Sequence, residues 1–110
     1  MLIFTGVEYD ELGLSPDEIQ GRMGKWFAWH EKMDKQGIVK YGEALHAKSR
    51  TIAGKDRLVT DKATAEAKEI VGGFYVVKAK DFDEAEKVAQ DFPDYDLGSS
   101  VHIREVVKFE

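Results

Sequence analysis

The chain has 110 residues, enough for one domain around one core, and no cysteine, which removes disulfide scaffolds, thiolate metal sites and cysteine nucleophiles. Its formal net charge of −5 comes from 21 acidic and 16 basic residues interleaved along the chain, without the basic stripe that a nucleic-acid surface needs. No stretch is apolar for long enough to span a membrane, and the chain opens on strand-like residues rather than a basic leader, so a cytoplasmic protein is expected, with neither nucleic acid nor membrane as partner.

Residues 1–7 predict a first strand, apolar on both faces. Ser15-Pro16-Asp17-Glu18 is a helix start: Ser15 as N-cap, Pro16 at the first helical position, and Glu18 placed to complete a capping box. The helix is expected to run to about Gln36, with Gly37 as its left-handed stop. Ile19, Met23, Trp26, Phe27 and Met33 mark its apolar face. A second strand follows from Ile38 to Leu45. A third begins over Ser49–Ile52, and the Gly54-Lys55-Asp56 turn leads into Arg57–Thr60. The polar residues 61–70 predict a loop or a short helical turn. Phe74–Val77 predicts a strand, with Phe74 and Val76 on one face and Tyr75 and Val77 on the other. Asp81, with Glu84 three residues on, caps a second helix whose inner face is Phe82, Ala85, Val88, Ala89 and Phe92; Pro93 ends it. Val101–Phe109 predicts the last strand.

The order β-α-β-β-(loop)-β-α-β is the split βαβ pattern, so the expected fold class is α+β: a ferredoxin-like sandwich, with two helices on one face of an antiparallel sheet. The sheet's other face is apolar too, with Tyr75 and Val77 taken to lie on it. A second copy of the chain is the simplest cover, which predicts a homodimer.

Among residues able to carry chemistry, His30 lies four after Trp26 and three before Met33, on the apolar side of the first helix. An imidazole there is suited to act as a general base near neutral pH, or equally to serve as a core histidine bonded to a backbone carbonyl. His102 and Arg104, two apart, share one face of the last strand, and there they can hold an anionic ligand or form an interchain ion pair. Glu43 and His46, three apart, point to opposite faces of the second strand. Gly72-Gly73 has a backbone role, such as a bulge or close approach, and is not a phosphate loop, because no helix follows it. The three histidines sit on separate elements, so no metal site is formed and no cofactor is expected.

Thr60-Asp61, Glu66, Lys68-Glu69 and Gly72-Gly73-Phe74-Tyr75 match, without a gap, the signature T-D-G-P-F-x-E-x-K-E-x-x-G-G-[FY]-[FY]. On these residues the chain resembles YCII-related proteins of the DGPF type. The Ser15–Glu18 helix start, Gly42-Glu43-x-Leu45 and Val101-x-Ile103-Arg104 extend the resemblance over nearly the whole chain. Lys62-Ala63-Thr64 replaces the Gly-Pro-Phe that names the type. The resemblance implies a single domain over residues 1–110, a dimeric α/β-barrel, and a cavity between sheet and partner. It also implies a functional link to ECF-type sigma factors, beside which such proteins are found. In a related branch similar to a dehydrochlorinase, a His on the first helix works with an Asp after the second. His30 matches the first, whereas the second falls on Phe92, flanked by Asp91 and Asp94. The resemblance thus proposes His30 and Asp91 as catalytic residues and Glu43, Asp61 and Arg104 as ligand-binding ones, to which the shared strand face adds His102. Two functions follow: a small-molecule-binding or regulatory homodimer, or a lyase-like or dehydrochlorinase-like enzyme using His30 as general base on a phenolic or anionic substrate.

Overall fold

The computed structural model describes residues 1–6, 9, 12–46, 48–61 and 70–108. Strand β1 (Leu2–Thr5) leads to helix α1 (Pro16–Lys35), β2 (Val39–Ala44), β3 (Thr51–Ala53), β4 (Leu58–Thr60), β5 (Val71–Val77), helix α2 (Phe82–Ala89), a 3-10 turn (Tyr95–Leu97) and β6 (Ser100–Ile103). Four strands form one antiparallel sheet in the order β2-β5-β1-β6, and both helices pack on one of its faces. This is the α+β, ferredoxin-like arrangement. No helix among the described residues is long and apolar enough to cross a membrane.

Local sequence accounts for the helix ends. The Ser15 hydroxyl accepts from the Glu18 amide at 3.2 Å, and the Glu18 carboxylate accepts from the Ser15 amide at 3.2 Å, a complete capping box. At the other end Gly37 takes a φ of 69°, while its amide bonds to Asp34 and that of Ile38 to Met33. That is a Schellman closure, which favours a residue without a Cβ. Asp81 caps α2 by accepting from the Glu84 amide at 2.9 Å.

Packing departs from the predicted faces in three places. On α1 the buried aromatic is Trp29, 4% exposed, whereas Phe27, two residues earlier, is 67% exposed and Met23 also faces out. The buried stripe runs through Trp26, Trp29 and Met33, rotated from the one the apolar residues suggested. Phe82 on α2 is likewise exposed. On β5 the faces are reversed: Leu2 pairs with Tyr75 and is fully buried, so Tyr75 and Val77 face the helices and Phe74 and Val76 lie on the open side. Alternation along a strand fixes which residues share a face, but not which face the helices cover.

The third strand does not join the main sheet. Among the described residues β3 and β4 pair only with each other, through a turn with positive φ at Gly54 and Arg57. Ile52, Leu58 and Val59 on this ribbon are exposed. The last strand stops at Ile103; residues 104–108 are not strand, and Phe109 is outside the described residues.

At the centre of the core is an aromatic cluster. Phe4 stacks on Phe92 with centroids 5.1 Å apart, and meets Trp26, Trp29 and Tyr75 edge-on. Such edge and offset contacts suit the ring quadrupoles.

Candidate functional site

At one end of the sheet the aromatic core opens into a cavity of about 380 Å³, within the range of small-molecule sites. Its floor is the backbone where β1 and β2 finish and β5 begins, at Gly6, Ala44 and Gly73. Trp26 of α1, with Phe92 and Asp94 beyond α2, supplies the opposite wall. Two glycines set this geometry. A Cβ on Gly73 would stand 2.8 Å from the Glu43 carbonyl oxygen, and one on Gly42 would run into the Tyr75 ring. The close approach of β2 to β5 and the placement of Tyr75 in the wall therefore need glycine. Gly73 supplies the backbone role expected of the Gly-Gly pair.

The polar centre of this wall is Asp94. It is 5% exposed, and its Oδ2 accepts from the Tyr9 hydroxyl at 2.6 Å and from the Trp26 indole N–H at 2.9 Å. The same indole N–H lies 2.8 Å from the Tyr9 oxygen. Oδ1 has no hydrogen-bond partner among the described residues; Arg22 Nη1 is 3.6 Å away. The Arg22 guanidinium spends its short contacts elsewhere, in a fork onto Asp96 at 2.7 and 2.6 Å and a bond to the Pro93 carbonyl at 3.1 Å. That fork raises the pKa of Arg22 and lowers that of Asp96. Burial, and then the hydrogen bond to Asp94, push the Tyr9 hydroxyl well above its ordinary value, so it remains a donor.

The turn after α2 places Asp94. Pro93 prevents helix continuation. The Asp94 carbonyl accepts from the amides of Leu97 and Ser99, the Tyr95 hydroxyl donates to the Ala89 carbonyl at 2.7 Å, and Gly98 takes a φ of 85°.

His30 is half-buried on α1 with Nδ1 3.1 Å from the Tyr75 hydroxyl, whose pKa burial raises. The Tyr75 ring lines the cavity and the His30 side chain does not. Asp91 is exposed and ion-paired to Lys32 at 2.9 Å, so the structure does not bring it to His30. The carboxylate after α2 that reaches the cavity is Asp94, because Phe92 turns into the core and Asp91, just past the helix end, turns out to Lys32. Glu43 lines the cavity mouth on the open side of β2, opposite Phe74. Asp61 lies away from it and pairs with Arg50 at 2.7 Å beside the Thr51–Thr60 rung of the ribbon. His102 is exposed on the open sheet face opposite Ile3. Arg104 follows β6 and joins Met1 through its backbone, the amide donating to the Met1 carbonyl at 2.9 Å. Neither lines the cavity. Lys62-Ala63-Thr64, Glu66, Lys68 and Glu69 lie outside the described residues.

Tyr9 and Arg22 are polar residues of this cluster that the sequence did not mark, Asp94 was named only as a neighbour of Phe92, and Trp26 was marked only as core. The one available signal was Pro93-Asp94 ending the second helix. Nothing local ties Tyr9 to a residue 85 positions away.

In comparison with known proteins, a family model described as YCII-related domain matches residues 7–110 of the chain. No curated protein matches it.

Proposed function

This chain belongs to the YCII-related family, and from that premise we propose that it is a small-molecule-binding homodimer whose ligand occupies the cavity walled by Asp94. The observation that carries the reading is the buried Asp94 carboxylate. A charge removed from water is costly unless it is well bonded, yet among the described residues only one of its oxygens accepts hydrogen bonds. Aromatic walls with one fixed polar group are what a site for a small organic molecule requires. His30 then braces Tyr75 from behind the wall rather than acting as a base.

The homodimer is supported by the open sheet face, where Ile3 and Phe74 lie beside Tyr41, 59% exposed. The apolar outer residues of the β3–β4 ribbon add to it, since an isolated two-stranded ribbon is marginal in water. Glu43 and Phe74 belong to both this face and the cavity mouth, so a second copy seated there would adjoin the ligand.

A fragment library screened by thermal shift tests the binding reading against Ala44→Trp, which fills the cavity from an exposed edge-strand position on its floor. Fragments that raise the Tm of the wild type and not of the filled variant are expected. A blank screen, or equal shifts in both proteins, would overturn the reading.

A further inference from the structure

We infer that the cavity ligand is an organic cation, a protonated amine or quaternary ammonium group carried on a small apolar body. The inference rests on the binding role proposed for the cavity and names the chemistry it takes. Two acidic residues, Asp94 and Glu43, line the cavity, Asp94 buried in its wall and Glu43 exposed at its mouth, and among the described residues no lysine, arginine or histidine does.

Arg22 does not cancel the charge on Asp94. It is one cation between two carboxylates, and its fork is closed on Asp96 at 2.7 and 2.6 Å while Asp94 Oδ1 waits at 3.6 Å. One cation less two anions leaves a net charge of −1 in that cluster. Asp94 is also more than nine-tenths buried and lines the cavity with Oδ1 unbonded among the described residues.

The walls point the same way. Phe4, Trp26, Tyr75 and Phe92 face the space, and aromatic faces attract a cation through their quadrupoles, more strongly when water is excluded. Trp26 donates its N–H to Asp94 and so keeps its ring in the wall. An anion would meet the Asp94 carboxylate and ring faces of the same sign; a neutral ligand would gain contact area alone.

Benzylamine, benzyl alcohol and benzoate share a ring and differ in charge. The experiment titrates each into the full chain at neutral pH, following tryptophan fluorescence and the indole N–H resonance of Trp26. Benzylamine should bind saturably and shift that resonance, benzyl alcohol should bind roughly tenfold more weakly, and benzoate should be weakest. Asp94→Asn keeps an acceptor for Tyr9 and Trp26, and should weaken benzylamine roughly tenfold while sparing benzyl alcohol. If that variant does not fold, Glu43→Gln and the wild-type ranking decide. Benzyl alcohol or benzoate binding as tightly as benzylamine would overturn the cation and leave the cavity reading standing. Failure of all three, together with a blank fragment screen, would overturn both. Failure of all three beside neutral or anionic fragment hits would overturn the cation alone.

Discussion

The two faces of the sheet both carry apolar side chains and use them differently. On the covered face Leu2, Phe4, Tyr75 and Val77 meet Trp29, Met33 and Phe92, and the rings lock edge to face. On the open face Ile3 and Phe74 share the surface with Tyr41, Glu43 and His102, and the aromatic contact there is a Tyr41–Phe74 edge at 6.1 Å. The lesson is that hydrophobicity does not make a core. Two amphipathic helices can cover one face, and that face receives the residues able to interdigitate with them. The other keeps charged neighbours and remains a surface for association.

Substitutions on the two faces should therefore separate. The largest effect is expected for Phe4→Ala, which removes a ring touching four others and should cost about 3–5 kcal/mol in denaturant unfolding. A loss below about 1 kcal/mol would mean that the covered face is not the cooperative core.

A middle effect belongs to the polar edge of the covered face. Tyr9→Phe removes the donor to Asp94 and an acceptor near Trp26, for an expected loss of about 1–3 kcal/mol. The pH dependence has a definite sign. The folded state raises the hydroxyl pKa above its ordinary 10.0, by burial first and then by Asp94. The stability it contributes is thus present below pH 10.0 and lost as pH climbs beyond that value. Tyr9→Phe should flatten this alkaline decline; Tyr75 and Tyr95, also raised by burial, leave a residual slope. Equal slopes in both proteins would remove Tyr9 from the network.

The smallest effect on folding is expected on the open face. Tyr41→Ala should change stability by no more than about 0.5 kcal/mol, yet it should weaken self-association measured by sedimentation. A wild-type chain that sediments as a monomer at micromolar concentration would sink the homodimer. A variant that dimerises as well as wild type would remove Tyr41 from the interface.

Much of the fold is legible in short stretches of sequence. Ser15-Pro16-Asp17-Glu18 specifies where α1 begins, Gly37 where it stops, and Asp81 where α2 begins, because capping joins residues three or four apart and needs no tertiary partner. The element order, the α+β class and the family resemblance were legible for the same reason. The site was legible only in part. Glu43 was found and does line the cavity, whereas Asp91 was preferred over Asp94 although the two lie on one short segment.

What the sequence by itself determined is the set of elements, their capped ends, and which residues alternate together along each strand. These follow from backbone hydrogen bonding and side-chain period within a few neighbouring residues. Only the tertiary structure decided that Tyr75 rather than Phe74 faces the helices, that Trp29 rather than Phe27 enters the core, and that Asp94 meets Tyr9 and Trp26. Those outcomes depend on the registry of β1 with β5 and on the path of the chain after Pro93, and both are fixed by packing between residues far apart in sequence.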